Sequence, residues 1–429
     1  MTWRERLRAA QIDLTPLRTS ADFRLLFIAG TVFYFGSMVS YVAIPFGVYR
    51  LTGSNFLVGA IGLVELVPLV VFGLYGGALA DHVDRRRLLI GTGVAQALLT
   101  GVLALNAFQS HPRLWVIFGV AALLTSASAL QRPSREALMP RTVRHEEIPA
   151  ANALMSFGRQ LGVLAGPAVG GLLIAFAGLG WCFVLDVCAL CVATVMMTRM
   201  RPYPHQSETT PPSLRSIADG LGYAVRRRDL LGTYLVDLAA MFLAFPVVLF
   251  PALADDVFGA PQFLGLLYSA ETIGALVATA LSGWFQRVHL HGQVIVIAAA
   301  IYGGFIALVG VAPSLWLAAF FLACSGAADM ISAVFRGIIW NQTIPEEMRG
   351  RLAGVEMLSY SLGPLGGQVR AGFVADAWSV RGSITSGGLA CVVGVLLTAA
   401  WLRDFWGYDA RTDPHAVAER AVRAEQDSG

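Results

Sequence analysis

Residues 56–87 read FLVGAIGLVELVPLVVFGLYGGALADHVDRRR. As far as Ala80 this stretch holds a single ionisable side chain, Glu65. A helix rises 1.5 Å per residue, so roughly 20 such residues cross a hydrocarbon core. The run is long enough, and it ends at Asp81 and at Arg85, Arg86 and Arg87, which a bilayer interior would reject. An apolar stretch of membrane length closed by a basic cluster is the unit from which the rest of the chain can be read.

Eleven more stretches follow that pattern. The twelve windows lie near 23–49, 56–80, 88–109, 114–134, 152–177, 180–199, 230–253, 262–286, 293–311, 315–340, 353–376 and 384–402. The totals agree: 56% of the 429 residues are hydrophobic and 14% are charged, with mean hydropathy +0.64. A soluble domain carries about 25% charged residues. The composition excludes a disordered chain, a disulfide scaffold and an ordinary cytosolic enzyme. Runs this long, without alternation, exclude a membrane barrel. The five cysteines all lie in apolar segments without a CxxC pair, so neither a disulfide nor a metal site is expected. The first twenty residues lack the apolar core and cleavage site of a signal peptide.

Arginine sets the orientation. The N-terminal tail, the loop at Arg85–Arg87, the loop with Arg135, Arg141 and Arg144, and the segment 201–228 are basic. The opposite loops hold Arg50, Arg113 and Arg381. The positive-inside rule then places both termini in the cytoplasm of a bacterial inner-membrane protein. The expected organisation is a cytoplasmic tail (1–22), a six-helix half (23–200), a cytoplasmic linker (201–229), a second six-helix half (230–402) and a polar tail (403–429) that frays in the cytoplasm.

The halves repeat. Leu57-Val58-Gly59 resembles Phe263-Leu264-Gly265, Glu65 matches Glu271, Gly77 matches Gly283 and Pro45 matches Pro251, all at an offset of 206. At an offset of 201, Pro112-Arg113-Leu114-Trp115 echoes Pro313-Ser314-Leu315-Trp316. Thr142 with Glu146-Glu147 echoes Thr343 with Glu346-Glu347. Gly166-Pro167 with Gly170-Gly171 echoes Gly363-Pro364 with Gly366-Gly367. Matches in the same order along five helix pairs point to parallel repeats, the architecture of a transporter built for alternating access.

Three groups of residues carry a family resemblance. Gly77, Asp81 and the basic run at Arg85-Arg86-Arg87 resemble the loop signature of the major facilitator superfamily, with Asp84 where that family has Gly. Gly162, Gly166, Pro167, Gly170 and Gly171 resemble the antiporter motif of its drug-exporting members. The stretches 140–171, 250–255, 265–270 and 344–351 resemble its siderophore-exporting (enterobactin exporter) and macrolide-efflux branch. The resemblance implies an all-α fold of twelve transmembrane helices in two pseudo-symmetric six-helix bundles. It implies a gating loop in which Asp81 meets the start of helix 11 and Arg85 reaches Glu136. It implies that helix 5 presses its small residues against a partner such as helix 8 or 11. It implies a central cavity lined by helices 1, 7, 8 and 11, where Tyr34, Tyr41, Phe245, Tyr268 and Tyr360 fall. Core or lipid-facing positions are the plainer reading for at least half of these aromatics.

Charges inside the windows are the candidates for chemistry, because each costs about 2.5–3.5 kcal/mol at mid-membrane on insertion scales. Glu65 stands about nine residues into helix 2, roughly 14 Å deep, and Glu271 matches it in helix 8. Either can take up a proton on one side and release it on the other, or meet a cationic group on a substrate. Asp237, Asp329, Glu356 and Arg159 are further candidates. Arg132 and Arg336, near the ends of helices 4 and 10, are expected to share one symmetric role: pairing with Glu136 or Glu356, binding an anionic substrate, or simply snorkelling to the interface.

The function expected is export of a bulky organic molecule, a siderophore or a hydrophobic drug, by proton antiport. A lysophospholipid flippase or an importer on the same fold remains open. No GxxxxGK[ST], HExxH or GxSxG stretch is present, so no enzyme, ATP or nucleic acid is expected. No cofactor is expected beyond the proton gradient. The partners expected are the bilayer and a small molecule, with the chain acting as a monomer.

Overall fold

The computed structural model describes residues 13–82, 84–203 and 214–428. For 74–82, 214–218, several positions from 346 to 358 and those beyond 422 it describes the backbone alone. The side chains of Gly77 and Asp81, and much of the expected N-terminal tail and linker, therefore lie outside the described residues.

Twelve long helices fall on the twelve windows: α1 Ala21–Thr52, α2 Asn55–His82, α3 Arg85–Ala107, α4 Leu114–Leu138, α5 Ile148–Phe176, α6 Leu179–Arg199, α7 Arg228–Val257, α8 Leu264–Ala280, α9 His291–Val311, α10 Leu315–Thr343, α11 Glu346–Ala377 and α12 Val380–Trp401. No strand occurs among the described residues. Eleven stretches are both long and apolar enough to cross a membrane, counting described residues alone. α11 is long enough, and carries Glu356, Gln368 and Arg370 in its middle. Leu98, Leu105, Phe176 and Leu397 are among the exposed large side chains, as expected of surfaces that face lipid. Trp115, Trp181, Trp316, Trp378 and Trp401 are all exposed at helix ends, where indoles sit at the membrane–water boundary.

The chain forms two compact units, Met1–Ile44 with Val71–Pro211, and Pro45–Val70 with Pro212–Gly429. α1 and α2 each run unbroken from one unit into the other, and each carries a proline near that boundary, Pro45 and Pro68, which removes a helix hydrogen bond. In the first unit Phe23, Leu26, Leu89, Leu138 and Leu154 form a closed apolar core. Asp84, in place of the family's Gly, caps α3 by accepting from the N–H groups of Arg86 (2.8 Å) and Arg87 (3.2 Å).

In the second unit the start of α2 is clasped by the end of α11. The Asp376 carboxylate accepts from Ser54 Oγ (2.6 Å), Asn55 N (2.8 Å), Asn55 Nδ2 (3.1 Å) and Phe56 N (3.0 Å). These are first-turn donors with no partner inside their own helix. Tyr49 donates to Asp256 in the same unit.

α8 and α10 interlock through Gly274 and Gly326. A Cβ on Gly274 would overlap the Ala323 carbonyl, and one on Gly326 the Glu271 carbonyl. Gly274→Ala is therefore expected to destabilise the protein by about 1–3 kcal/mol, the usual cost of overpacking. Gly304→Ala, whose Cβ meets open space, should not. Thermal unfolding of the two variants in detergent checks this.

The tail does not fray, which corrects the sequence expectation. Arg403–Trp406 and Pro414–Ser428 are helical, and Phe405, Tyr408 and Ala416 are buried. Phe405 fits against Gly232 of α7 and Gly292 of α9, and Ala410 N donates to His289 O (3.0 Å). A search for runs of membrane length passes over two aromatic anchors, Phe405 and Tyr408, set among charges.

Candidate functional site

α7 is where the second unit departs from regular helix. Asp237 lies one residue before the regular part ends at Leu238. A π-turn, Ala239–Leu243, follows, and residues 244–246 are not helical. Pro246 lacks an N–H and its ring disfavours helix at Phe245. The Ala244 carbonyl, freed by the break, accepts from Tyr302 Oη of α9 (3.1 Å). Backbone outside a helix is tolerated at membrane depth when a neighbour satisfies it in this way. Discontinuous helices of this kind mark binding and coupling sites in transporter folds.

Beside the break lies a buried ion cluster. Arg336 of α10 is 2% exposed, and its Nη2 stands 2.8 Å from Asp237 Oδ1. Nη1 donates to Ser332 Oγ (2.9 Å), and Ser359 Oγ of α11 donates to Asp237 Oδ2 (3.0 Å). Asp329 Oδ1 is 4.0 Å from the same Nη2, with its side chain 34% exposed. Asp329, Ser332, Arg336 and Trp340 follow at three- and four-residue steps, so α10 presents them along one face. Trp340 Nε1 donates to Thr233 Oγ1 (2.8 Å), one turn before Asp237, which fixes the register of α7 on α10. Glu271 of α8 lies within electrostatic reach of Asp329, and its Oε1 is buried with no hydrogen-bond partner among the described residues. Tyr302 is in reach of Glu271, Asp329 and Asp237 alike.

Two of the sequence candidates, Asp237 and Asp329, thus share one guanidinium, and a third, Glu271, adjoins Asp329. Glu356 is close enough to act on Tyr234 and Tyr360. Glu65 is partly exposed on α2, one turn beyond Gly62, which fits against the Leu365 carbonyl of α11. Tyr268 is buried edge-on to Phe250 (5.1 Å), Phe245 is half-buried at the break, and Tyr360 is exposed, edge-on to Trp340 (6.2 Å). Tyr41 is exposed.

Several expectations are corrected. Arg132 and Arg336 share no symmetric role. Arg132 pairs with Glu136 (3.0 Å) on the surface, both side chains more than half exposed, whereas Arg336 is fully buried and does not snorkel. The ion pair of Arg336 is with Asp237. Within the first unit the antiporter motif packs on α1: a Cβ on Gly162 would meet the backbone at Tyr34 and Phe35, and one on Gly166 would meet Met38. Its echo behaves alike, Gly363 and Gly367 packing against Met241 and Phe242 of α7. Close packing against the first helix of the same half explains these small residues. At the loop between α2 and α3, Arg86 donates to the Met197 carbonyl (3.1 Å) and to that of Thr198, closing the end of α6; Arg85 is buried. Tyr34, Glu136 and Arg159 line one pocket of the first unit, together with Arg135.

The family model described as "Transmembrane secretion effector" matches residues 12–427. The enterobactin exporter EntS of Shigella flexneri is 27% identical over 402 residues, 90% of this chain and 93% of that protein. EntS of Escherichia coli O81 is 25% identical over 390 residues, with the same coverage. Among solved structures, a bacterial homologue of the iron transporter ferroportin is 15% identical with a TM-score of 0.70, covering 90% of this chain and 98% of that one. A bacterial homologue of the human lysosomal transporter Spinster is 14% identical with a TM-score of 0.68, covering 93% and 96%. At such identities the structural likeness is one of fold.

Proposed function

The chain belongs to the transmembrane secretion effector family of the major facilitator superfamily, and from that premise we propose that it exports a bulky organic molecule, a siderophore or a hydrophobic drug, in exchange for protons. The observation that carries the coupling is the pairing of Asp237 and Asp329 with Arg336 beside the break in α7, with Glu271 next to Asp329. One guanidinium balances one carboxylate. Further negative charge in a water-poor site is costly, so the cluster holds protons. Asp329 is the exposed member and Asp237 the buried one. A proton arriving on Asp237 frees Arg336 to turn to Asp329, which gives the site two charge arrangements for alternating access to act upon. Both termini lie in the cytoplasm, the chain sits in the bacterial inner membrane, and it works as a monomer without ATP.

Purified protein in vesicles bearing a pH gradient tests this, with enterobactin and ethidium as probes. Transport should follow the gradient and collapse with a protonophore. Movement of either probe that survives the protonophore unchanged removes the proton from the mechanism.

A further inference from the structure

The first unit holds a second concentration of charge, of the opposite sign. One pocket is lined by Tyr34 of α1, Arg135 and Glu136 of α4, and Asn152, Ser156 and Arg159 of α5. We propose that this pocket binds an organic anion with a planar ring, and that it is the docking point for the exported molecule; this rests on the export reading above and names the substrate class for it.

The charge count is the first argument. Glu136 is engaged by Arg132 at 3.0 Å. Among the described residues neither Arg135 nor Arg159 forms an ion pair with a carboxylate. Arg336, Arg227, Arg144 and Arg228 each have one. Two guanidiniums line the cleft against the single carboxylate of Glu136, which also serves Arg132, and this excess of positive charge favours an anion there.

The shape of the donor set is the second argument. Arg135 lies over the ring of Phe33 at 4.0 Å, within 5.4 Å of the Tyr34 ring centroid, and Nη2 donates to Gln131 Oε1 (2.7 Å). It is held in place by two aromatic faces and a neutral amide. A guanidinium has five N–H donors, so others remain for a ligand. Asn152, Ser156 and Arg159 follow at four- and three-residue steps on α5 and present donors along one face. Tyr34, with Met139 and Met155 of the same pocket, supplies the apolar wall against which a planar ring lies. A carboxylate on an aromatic ring satisfies both halves of this description; a cationic drug fails the first.

The test uses the full chain in phosphatidylcholine nanodiscs, with salicylate as the probe and calorimetry as the readout, no gradient being applied. Arg135→Gln and Arg159→Gln should each weaken binding about tenfold or more, the loss of one charge-assisted contact. Arg228→Gln, whose partner is Asp404 on the surface, should change nothing. Arg135→Lys keeps the charge and the stem, and should bind more tightly than Arg135→Gln; it guards against a fold defect. Binding unchanged in both Gln variants overturns the inference, as does equal binding of neutral benzyl alcohol. Displacement of salicylate by phosphatidylglycerol assigns the pocket to a lipid headgroup and overturns it too. Because no gradient is involved, none of these failures touches the export reading. Wild-type protein that binds salicylate yet moves nothing in vesicles overturns export instead.

Discussion

Arg336→Ala is expected to abolish transport and to destabilise the protein by about 3–5 kcal/mol, the cost of leaving a buried charge without its partner. Asp237 is 1% exposed, and among the described residues Ser359 is the one other donor to its carboxylate. The variant thus leaves Asp237 ionised against a poor environment or forces it to carry a proton permanently. Two consequences separate stability from coupling. The double variant Asp237→Asn, Arg336→Gln removes both charges, and should recover most of the lost stability while staying inactive. Thermal unfolding in detergent gives the first quantity and vesicle transport the second. A double variant as unstable as Arg336→Ala would mean that packing, and not charge, accounts for the loss.

Glu271→Gln is the second large effect. The amide keeps the size of the side chain and cannot release a proton. Transport driven by a pH gradient should fall to the level seen with a protonophore, while exchange of substrate for substrate, which needs no net proton movement, continues. Glu65→Gln at the matching position should have the smaller effect, since no second acid of the cluster stands beside it. Gradient-driven transport that survives Glu271→Gln would take this residue out of the proton path.

Much of this arrangement is written in the sequence, for reasons that can be named. Helix number follows from apolar length, which the bilayer enforces. Asp237, Glu271, Asp329 and Arg336 stand out because the membrane penalises each. That Asp237 and Asp329 share the Arg336 guanidinium, with Glu271 next to Asp329, is not legible there, because it depends on which face each helix turns inward. The Phe245-Pro246 step announces a break in α7, but the π-turn before it leaves no mark in the residue pattern. Tyr302 looked like any aromatic in an apolar run; its role comes from a carbonyl freed on another helix. Arg135 was read as part of a basic loop because the apolar window closes at 134, whereas α4 runs on to Leu138 and carries Arg135 into a pocket. The antiporter motif was seen, but its small residues do not name the helix they meet.

The clasp at Asp376 has a bearing on how the chain is made. It joins residues 320–322 positions apart in sequence. At roughly 5–20 residues per second, a ribosome needs about 15–65 s to cover that interval. During that time the first turn of α2 has entered the membrane with its N–H groups unclaimed, and water at the membrane surface must satisfy them. Insertion and orientation are therefore early events governed by hydrophobicity and arginine. Completion of the second unit is a late one, open until the ribosome has passed Asp376.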